Sequence, residues 1–140
     1  MPELGILSHL TRTNEPYMNA DQLNYFRDKL LCWRNELTAT LRERVQRIQA
    51  EDARPIEDME RCVRAFDKEM EISNQARTRQ LILRIDEALD RIETGTYGYC
   101  VETEEPIGLE RLEASPFAAH CLIVQERLEK QSQKRLHLFL

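Results

Sequence analysis

Aromatic residues make up only 6% of this 140-residue chain, with one Trp, and there are just 4 Gly and 5 Pro. With 32% of positions charged, that scarcity describes a helix-rich, soluble composition close to the coiled-coil profile. No apolar run approaches the roughly 20 residues needed to span a bilayer. The N-terminus, Met1-Pro2-Glu3-Leu4-Gly5-Ile6-Leu7, lacks the basic region of a secretory signal, so the expected location is the cytoplasm. There is no basic excess either. The formal net charge is −5, which disfavours a free-standing DNA binder, since such a protein needs a basic footprint to release counterions. Four Cys are present, Cys32, Cys62, Cys100 and Cys121, and a reducing compartment argues against a disulfide framework. A Gly-rich phosphate loop and a G-x-S-x-G nucleophile turn are both missing, and His9, His120 and His137 are scattered without a nucleophile beside them. The chain is therefore expected not to be an enzyme.

What is present is helical periodicity. Leu23, Phe26, Leu30, Trp33 and Leu37 recur at threes and fours, continued by Leu41, Val45 and Ile48. A second series runs Met59, Val63, Phe66 and Met70, then Leu81, Ile85, Ala88 and Ile92. Each series puts one apolar seam on a helix. Ala53-Arg54-Pro55 breaks the pattern, and so short a break forces the helices to lie antiparallel. The expected fold is mainly α: a long antiparallel two-helix coiled-coil hairpin over residues 19–94, with its tip around 53–62. At ~1.5 Å per residue each helix would be some 50 Å long, too thin a pair to enclose a pocket and suited to reaching into something.

Local signals refine the boundaries. Residues 1–18 carry an apolar patch of Leu4, Ile6, Leu7 and Leu10 that either docks near the base of the hairpin or stays disordered. Asn19, with Gln22 three residues on, predicts an N-cap and capping box. Pro55 suits a first helical position, and Glu57, Asp58 and Glu60 complement the dipole of the helix it opens. Asn74 and Arg77 fall where the second seam would otherwise be apolar. Gly95 is expected to end that helix. Residues 95–116 then form a compact segment, turning at Thr96-Tyr97-Gly98-Tyr99 and non-helical over 99–116, with a turn or short hairpin at Glu104-Glu105-Pro106-Ile107-Gly108. Pro116 opens a C-terminal helix, to about Lys134, within the last stretch, 117–140. Cys100 and Cys121 flank the compact segment like halves of a zinc ribbon, but the positions that would complete C-x2-C pairs hold Thr103 and Val124. His120, Glu102 and Glu104 are poor substitutes, so no structural zinc is expected and both Cys read as small buried hydrophobes.

Several short stretches together resemble the DksA/TraR family: Tyr17-Met18-Asn19, Gln22-Leu23, Phe26-Arg27, Trp33-Arg34-Asn35, Tyr97-Gly98-Tyr99-Cys100, Ile107-Gly108, Arg111-Leu112-Glu113-Ala114 and Pro116. The resemblance runs from about Tyr17 through Leu128. It implies a cytoplasmic bacterial transcription factor that binds RNA polymerase, and not DNA, by pushing its coiled coil through the secondary channel. It further implies that open promoter complexes are destabilised, notably at ribosomal RNA promoters, and that the alarmone ppGpp strengthens the effect in the stringent response. The protein is expected to act as a monomer.

The family's tip motif, Asp-x-x-Asp-x-Ala, is matched by Glu57, Glu60 and Cys62, with Asp58 adding a further acid. Charge and spacing survive, each acid one methylene longer. The rod half of the family's ppGpp site is matched by Arg77, Leu81 and Arg84, which share one helix face. Ser115 and Gln125 stand where family members usually carry Arg and Lys, which implies a weaker ppGpp response. Arg111 matches a basic position expected to face the polymerase. The missing thiolates at Thr103 and Val124 place the chain in the Cys-poor branch, with a degenerate zinc finger. Two other functions remain open: a Gre-like cofactor whose tip acids help hold a catalytic metal for transcript cleavage, and a purely structural antiparallel coiled coil.

Overall fold

The computed structural model describes residues 16–52 and 57–139. The apolar patch at Leu4–Leu10 and the break at Ala53-Arg54-Pro55 lie outside the described residues. Four helices follow in order: α1 (Ala20–Asp52), α2 (Asp58–Thr94), α3 (Leu109–Ala114) and α4 (Leu122–Phe139). The chain divides into two compact units, one of residues 31–86 and one formed by residues up to 30 together with those from 87 onward.

The ends of the long helices are set by local chemistry. Asn19 Oδ1 accepts the Gln22 N–H at 2.9 Å, satisfying one of the orphan donors of the first turn. Gln22 Oε1 reaches back to the Met18 N–H at 2.7 Å, one residue beyond the usual capping-box partner. At the other end of α2, Gly95 adopts φ 81°. The Thr96 N–H then bonds the Arg91 carbonyl at 2.9 Å and the Gly95 N–H bonds that of Ile92 at 3.4 Å, the paired closure of a Schellman motif.

Within residues 31–86 the two helices run antiparallel. Arg34 pairs with Asp86 at 2.5 Å, Arg44 with Glu71 at 3.8 Å, and Lys68 with Asp52 at 2.9 Å, so partner numbers fall on α2 as they rise on α1. The seam differs from the one read off the sequence. Ile85 is fully buried, as expected, but Met59 is 89% exposed, and Val63, Phe66 and Met70 are exposed as well. Counting back from Ile85 in steps of three and four gives Thr78, Gln75 and Glu71, which are half-buried, buried and half-buried. The inward line in this stretch is therefore polar, one residue out of phase with the apolar stripe. Asn74 and Arg77, expected in the seam, are exposed, and Gln75 takes the interior place. This phase brings Glu71 to 3.8 Å from Arg44 across the hairpin.

The other unit has the larger share of fully buried side chains. Phe26, Leu30, Ala88, Tyr97, Cys100, Leu112, Ala118 and Val124 form its core. The rings of Phe26 and Tyr97 sit 5.8 Å apart, and the Tyr97 hydroxyl donates to the Pro116 carbonyl at 2.7 Å, so a buried phenol is satisfied. Burial raises the Tyr97 pKa, and the phenol stays neutral. Residues 98–107 make the expected tight hairpin. Tyr99 and Pro106 form an isolated antiparallel bridge, the Cys100 N–H donates to Glu105 O at 2.8 Å, and the Ile107 N–H donates to Gly98 O at 2.9 Å. The segment is not wholly non-helical, because α3 occupies Leu109–Ala114, with Leu112 turned into the core. Nor does Pro116 open the last helix. Pro116 and Ala118 are buried in an irregular stretch, the Ala118 N–H bonding Ser115 O at 3.0 Å, and α4 starts only at Leu122. It continues past Lys134 to Phe139.

Candidate functional site

The acids singled out in the sequence lie where α2 begins. Glu57 precedes the helix, its carbonyl accepting the N–H groups of Glu60 and Arg61 at 3.1 and 3.3 Å. Asp58 and Glu60 fall in the first turn, and Cys62 follows as an exposed free thiol. All four are exposed. Asp58 makes only a loose contact with Arg61, at 3.7 Å. Carboxylates here complement the positive end of the helix dipole and point their charge at solvent. Behind them, α1 and α2 frame an open cleft of about 620 Å³ bordered by Arg44, Arg47, Arg61, Arg64, Lys68 and Glu71. Its walls carry both signs of charge, and the Arg64 guanidinium donates to Glu51 O at 3.2 Å.

Farther along α2, Arg77 and Arg84 are exposed and Leu81 is half-buried between them. Among the described residues neither Arg forms an ion pair, which leaves two guanidinium groups on one face able to meet an anion. Arg111, on α3, is half-buried, and its Nε donates to the His120 carbonyl at 3.3 Å. Ser115 caps α3 through its N–H to Arg111 O at 2.8 Å, while the Gln125 side chain donates to Glu129 at 3.0 Å.

Both Cys of the compact segment are free thiols. Cys100 is 1% exposed and Cys121 is half-buried. Thr103 Oγ1 lies 3.9 Å from Cys121 Sγ. Burial pushes the Cys100 thiol up, but hydrogen bonds from the Thr103 hydroxyl and from the N–H groups of Cys121, Thr103 and Glu102 outweigh it and bring the pKa down to about 6. Cys100 is thus buried, as expected, with a thiol more acidic than an ordinary one. Cys121 and His120 precede α4 and are not helical, contrary to the sequence expectation.

Residues 22–92 match the family described as DnaK suppressor protein DksA, N-terminal domain, and residues 95–130 match the prokaryotic dksA/traR C4-type zinc finger. A protein of Caulobacter vibrioides, RNA polymerase-binding transcription factor DksA, is 44% identical over 124 residues, covering 89% of this chain and 86% of that one. The chain belongs to the DksA family. The Escherichia coli protein of the same description is 34% identical over 118 residues, covering 84% of this chain and 78% of its own. Transcription factor DksA2 from Pseudomonas aeruginosa superimposes with a TM-score of 0.77 at 35% identity, covering 86% of this chain and 95% of that one.

The residues that carry the DksA-family resemblance have structural work that sequence reading missed. The Tyr17 hydroxyl donates to Gly98 O at 2.6 Å and accepts the Gly108 N–H at 3.0 Å, tying the entrance of α1 to both sides of the short hairpin. Gly98 has φ 89°, and a Cβ there would sit 2.6 Å from Met18 Cγ. Glu113 accepts from Tyr25 at 2.8 Å and from Lys29 at 2.7 Å, fastening α3 to α1. Only the positive-φ demand on Gly98 leaves a trace in sequence, as a Gly between two Tyr.

A C4 finger supplies four thiolates. Of the four matching positions here, Cys100 and Cys121 are thiols, Thr103 is a hydroxyl, and Val124 is an apolar side chain 3% exposed in the core. Among the described residues no three of His, Cys, Asp and Glu converge as a metal-binding group. The donor set does not fit a tetrahedral structural zinc.

Proposed function

We propose that this protein binds bacterial RNA polymerase and regulates transcription by inserting the 31–86 hairpin into the secondary channel, where Glu57, Asp58 and Glu60 act near the polymerase active site. The observation that carries the proposal is a set of exposed carboxylates opening α2, in a chain 44% identical to an RNA polymerase-binding transcription factor over nearly its whole length. Carboxylates at that point can repel or compete for the acidic, metal-binding centre of a polymerase without any chemistry of their own. The protein then has no catalytic residues, works as a cytoplasmic monomer and does not contact DNA directly. Arg111 would contribute to the polymerase-facing surface.

In the same proposal, Arg77 and Arg84 hold phosphates of ppGpp once the polymerase supplies the remaining ligands. Two charge-assisted contacts at ~1.5–3 kcal/mol apiece give a dependence on ppGpp but not a free-standing site. Run-off transcription from a ribosomal RNA promoter tests the proposal. Purified protein should lower transcript yield, and ppGpp should deepen the effect. Unchanged yield at saturating protein overturns it, and shortened transcripts in stalled complexes would assign the cleavage function instead.

A further inference from the structure

The phase of α2 leaves a line of large apolar side chains uncovered. Met59, Val63, Phe66 and Met70 are 89, 63, 65 and 53% exposed, while the line through Glu71, Gln75 and Thr78 faces α1. Steps of four, three and four residues are those of a coiled-coil seam, with Met59 and Phe66 at d positions and Val63 and Met70 at a positions. At ~1.5 Å per residue the seam is about 16 Å long. The e and g positions beside it are Glu60, Cys62, Asp67 and Glu69, all exposed. Among the described residues none of these three acids is in an ion pair. The basic residues of the stretch are engaged elsewhere. Arg64 donates to Glu51 O at 3.2 Å and Lys68 pairs with Asp52 at 2.9 Å, both on α1, and Arg61 lies 3.7 Å from Asp58. The stripe is therefore apolar along its middle and acidic on both edges.

Charges at e and g positions set which helix such a seam accepts. A second copy of this chain is the wrong one. Run antiparallel, it sets Glu60 of one chain against Asp67 of the other; run parallel, it brings no cation to the acids. We propose that the stripe docks a basic amphipathic helix of another protein, its apolar side chains in the seam and its Lys or Arg beside Glu60, Asp67 and Glu69. Met59 and Met70 suit that use, because flexible thioethers repack around whichever apolar side chains the partner brings. The seam covers fewer than two heptads, so the contact is reversible and depends on charge as well as on apolar area. The inference needs only the free protein and does not rest on the polymerase reading, although an occupant at Met59 and Glu60 would cover acids which that reading uses.

The probe is a fluorescein-labelled peptide of about three heptads, with Leu at a and d and Lys at e and g. Full-length protein is titrated into it and fluorescence anisotropy is read. Wild type should give a saturable rise, and the same peptide with Glu in place of Lys should give none. Phe66→Ser should weaken binding about tenfold or more while circular dichroism shows the helices intact. Asp67→Lys with Glu69→Lys should weaken it by about as much. Ile72→Ser, at an exposed apolar position on another side of α2, should bind as wild type does. The proposal is overturned if the lysine peptide gives no rise, if the glutamate peptide binds equally well, or if Phe66→Ser binds as wild type does. It is also overturned if sedimentation equilibrium finds a wild-type dimer that Phe66→Ser abolishes, since the occupant would then be a second copy.

Discussion

Gly98 and Gly95 both sit at positive φ, but they answer to different constraints. At Gly95 a Cβ would meet nothing within 4 Å, so Gly95→Ala should cost only the left-handed backbone penalty, about 1 kcal/mol. At Gly98 a Cβ would fall 2.6 and 2.7 Å from Met18 Cγ and Sδ and 3.3 Å from the Tyr17 hydroxyl. Gly98→Ala should therefore add the displacement of Met18 and loss of the Tyr17 bridge, for a total of roughly 2–4 kcal/mol. Urea denaturation of the two variants checks the order; equal losses would mean that the Tyr17 contact is not holding the hairpin. Thr103 and Val124 give a second residue-scale prediction. Thr103→Cys with Val124→Cys restores thiolates at all four finger positions and should raise bound zinc from well below one to about one per chain by metal analysis. The same substitutions without zinc uptake would show that the compact segment no longer has finger geometry. Residue-scale features were legible in the sequence where they depend on neighbours in the chain. Asn19 and Gly95 act within a few positions, so their types announced their roles. The acidity of Cys100 depends on the Glu102 and Thr103 N–H groups in the hairpin turn and on the Cys121 N–H beyond it, and no residue type signals that.

At the scale of elements, α1 and α2 were readable as helices and as antiparallel partners, because a 3.6-residue period and a short break are local facts. The phase of α2 between residues 59 and 78 was not. Periodicity assigns the apolar side to the interior by default, yet Met59, Val63, Phe66 and Met70 are exposed and Glu71, Gln75 and Thr78 face in. The pairs Arg44–Glu71 and Asp52–Lys68 go with this phase, and a one-dimensional pattern does not contain them. Two consequences follow for stability. Phe66→Ser should change the free energy of unfolding by no more than about 0.5 kcal/mol, whereas Ile85→Ala, at a fully buried position, should cost about 2–5 kcal/mol. Gln75 is 6% exposed and its Nε2 has no hydrogen-bond partner, so Gln75→Leu should stabilise the hairpin by about 1 kcal/mol. Denaturant midpoints of the three variants decide the phase: a loss at Phe66 as large as that at Ile85 would restore the seam read from sequence. The boundary of α4 was misread for a related reason. Pro116 has the residue type of a helix start, but its carbonyl is taken by the Tyr97 hydroxyl and the chain stays irregular until Leu122.

For the whole molecule, family and fold class could be read before any coordinates, since the Tyr-Gly-Tyr-Cys and Arg-Leu-Glu-Ala stretches are specific and the helical pattern is long. Among the described residues no helix is long and apolar enough to cross a membrane. The proposed activity rests on Glu57 and Glu60 acting inside the polymerase while other surfaces hold the protein there. Both are exposed at the start of α2, so their removal should leave the fold untouched. The decisive measurement is run-off transcription from a ribosomal RNA promoter with wild type and the Glu57→Ala, Glu60→Ala double variant, alongside polymerase binding by each. The account predicts that the double variant binds polymerase within severalfold of wild type and no longer lowers transcript yield. A double variant that inhibits as fully as wild type would contradict it.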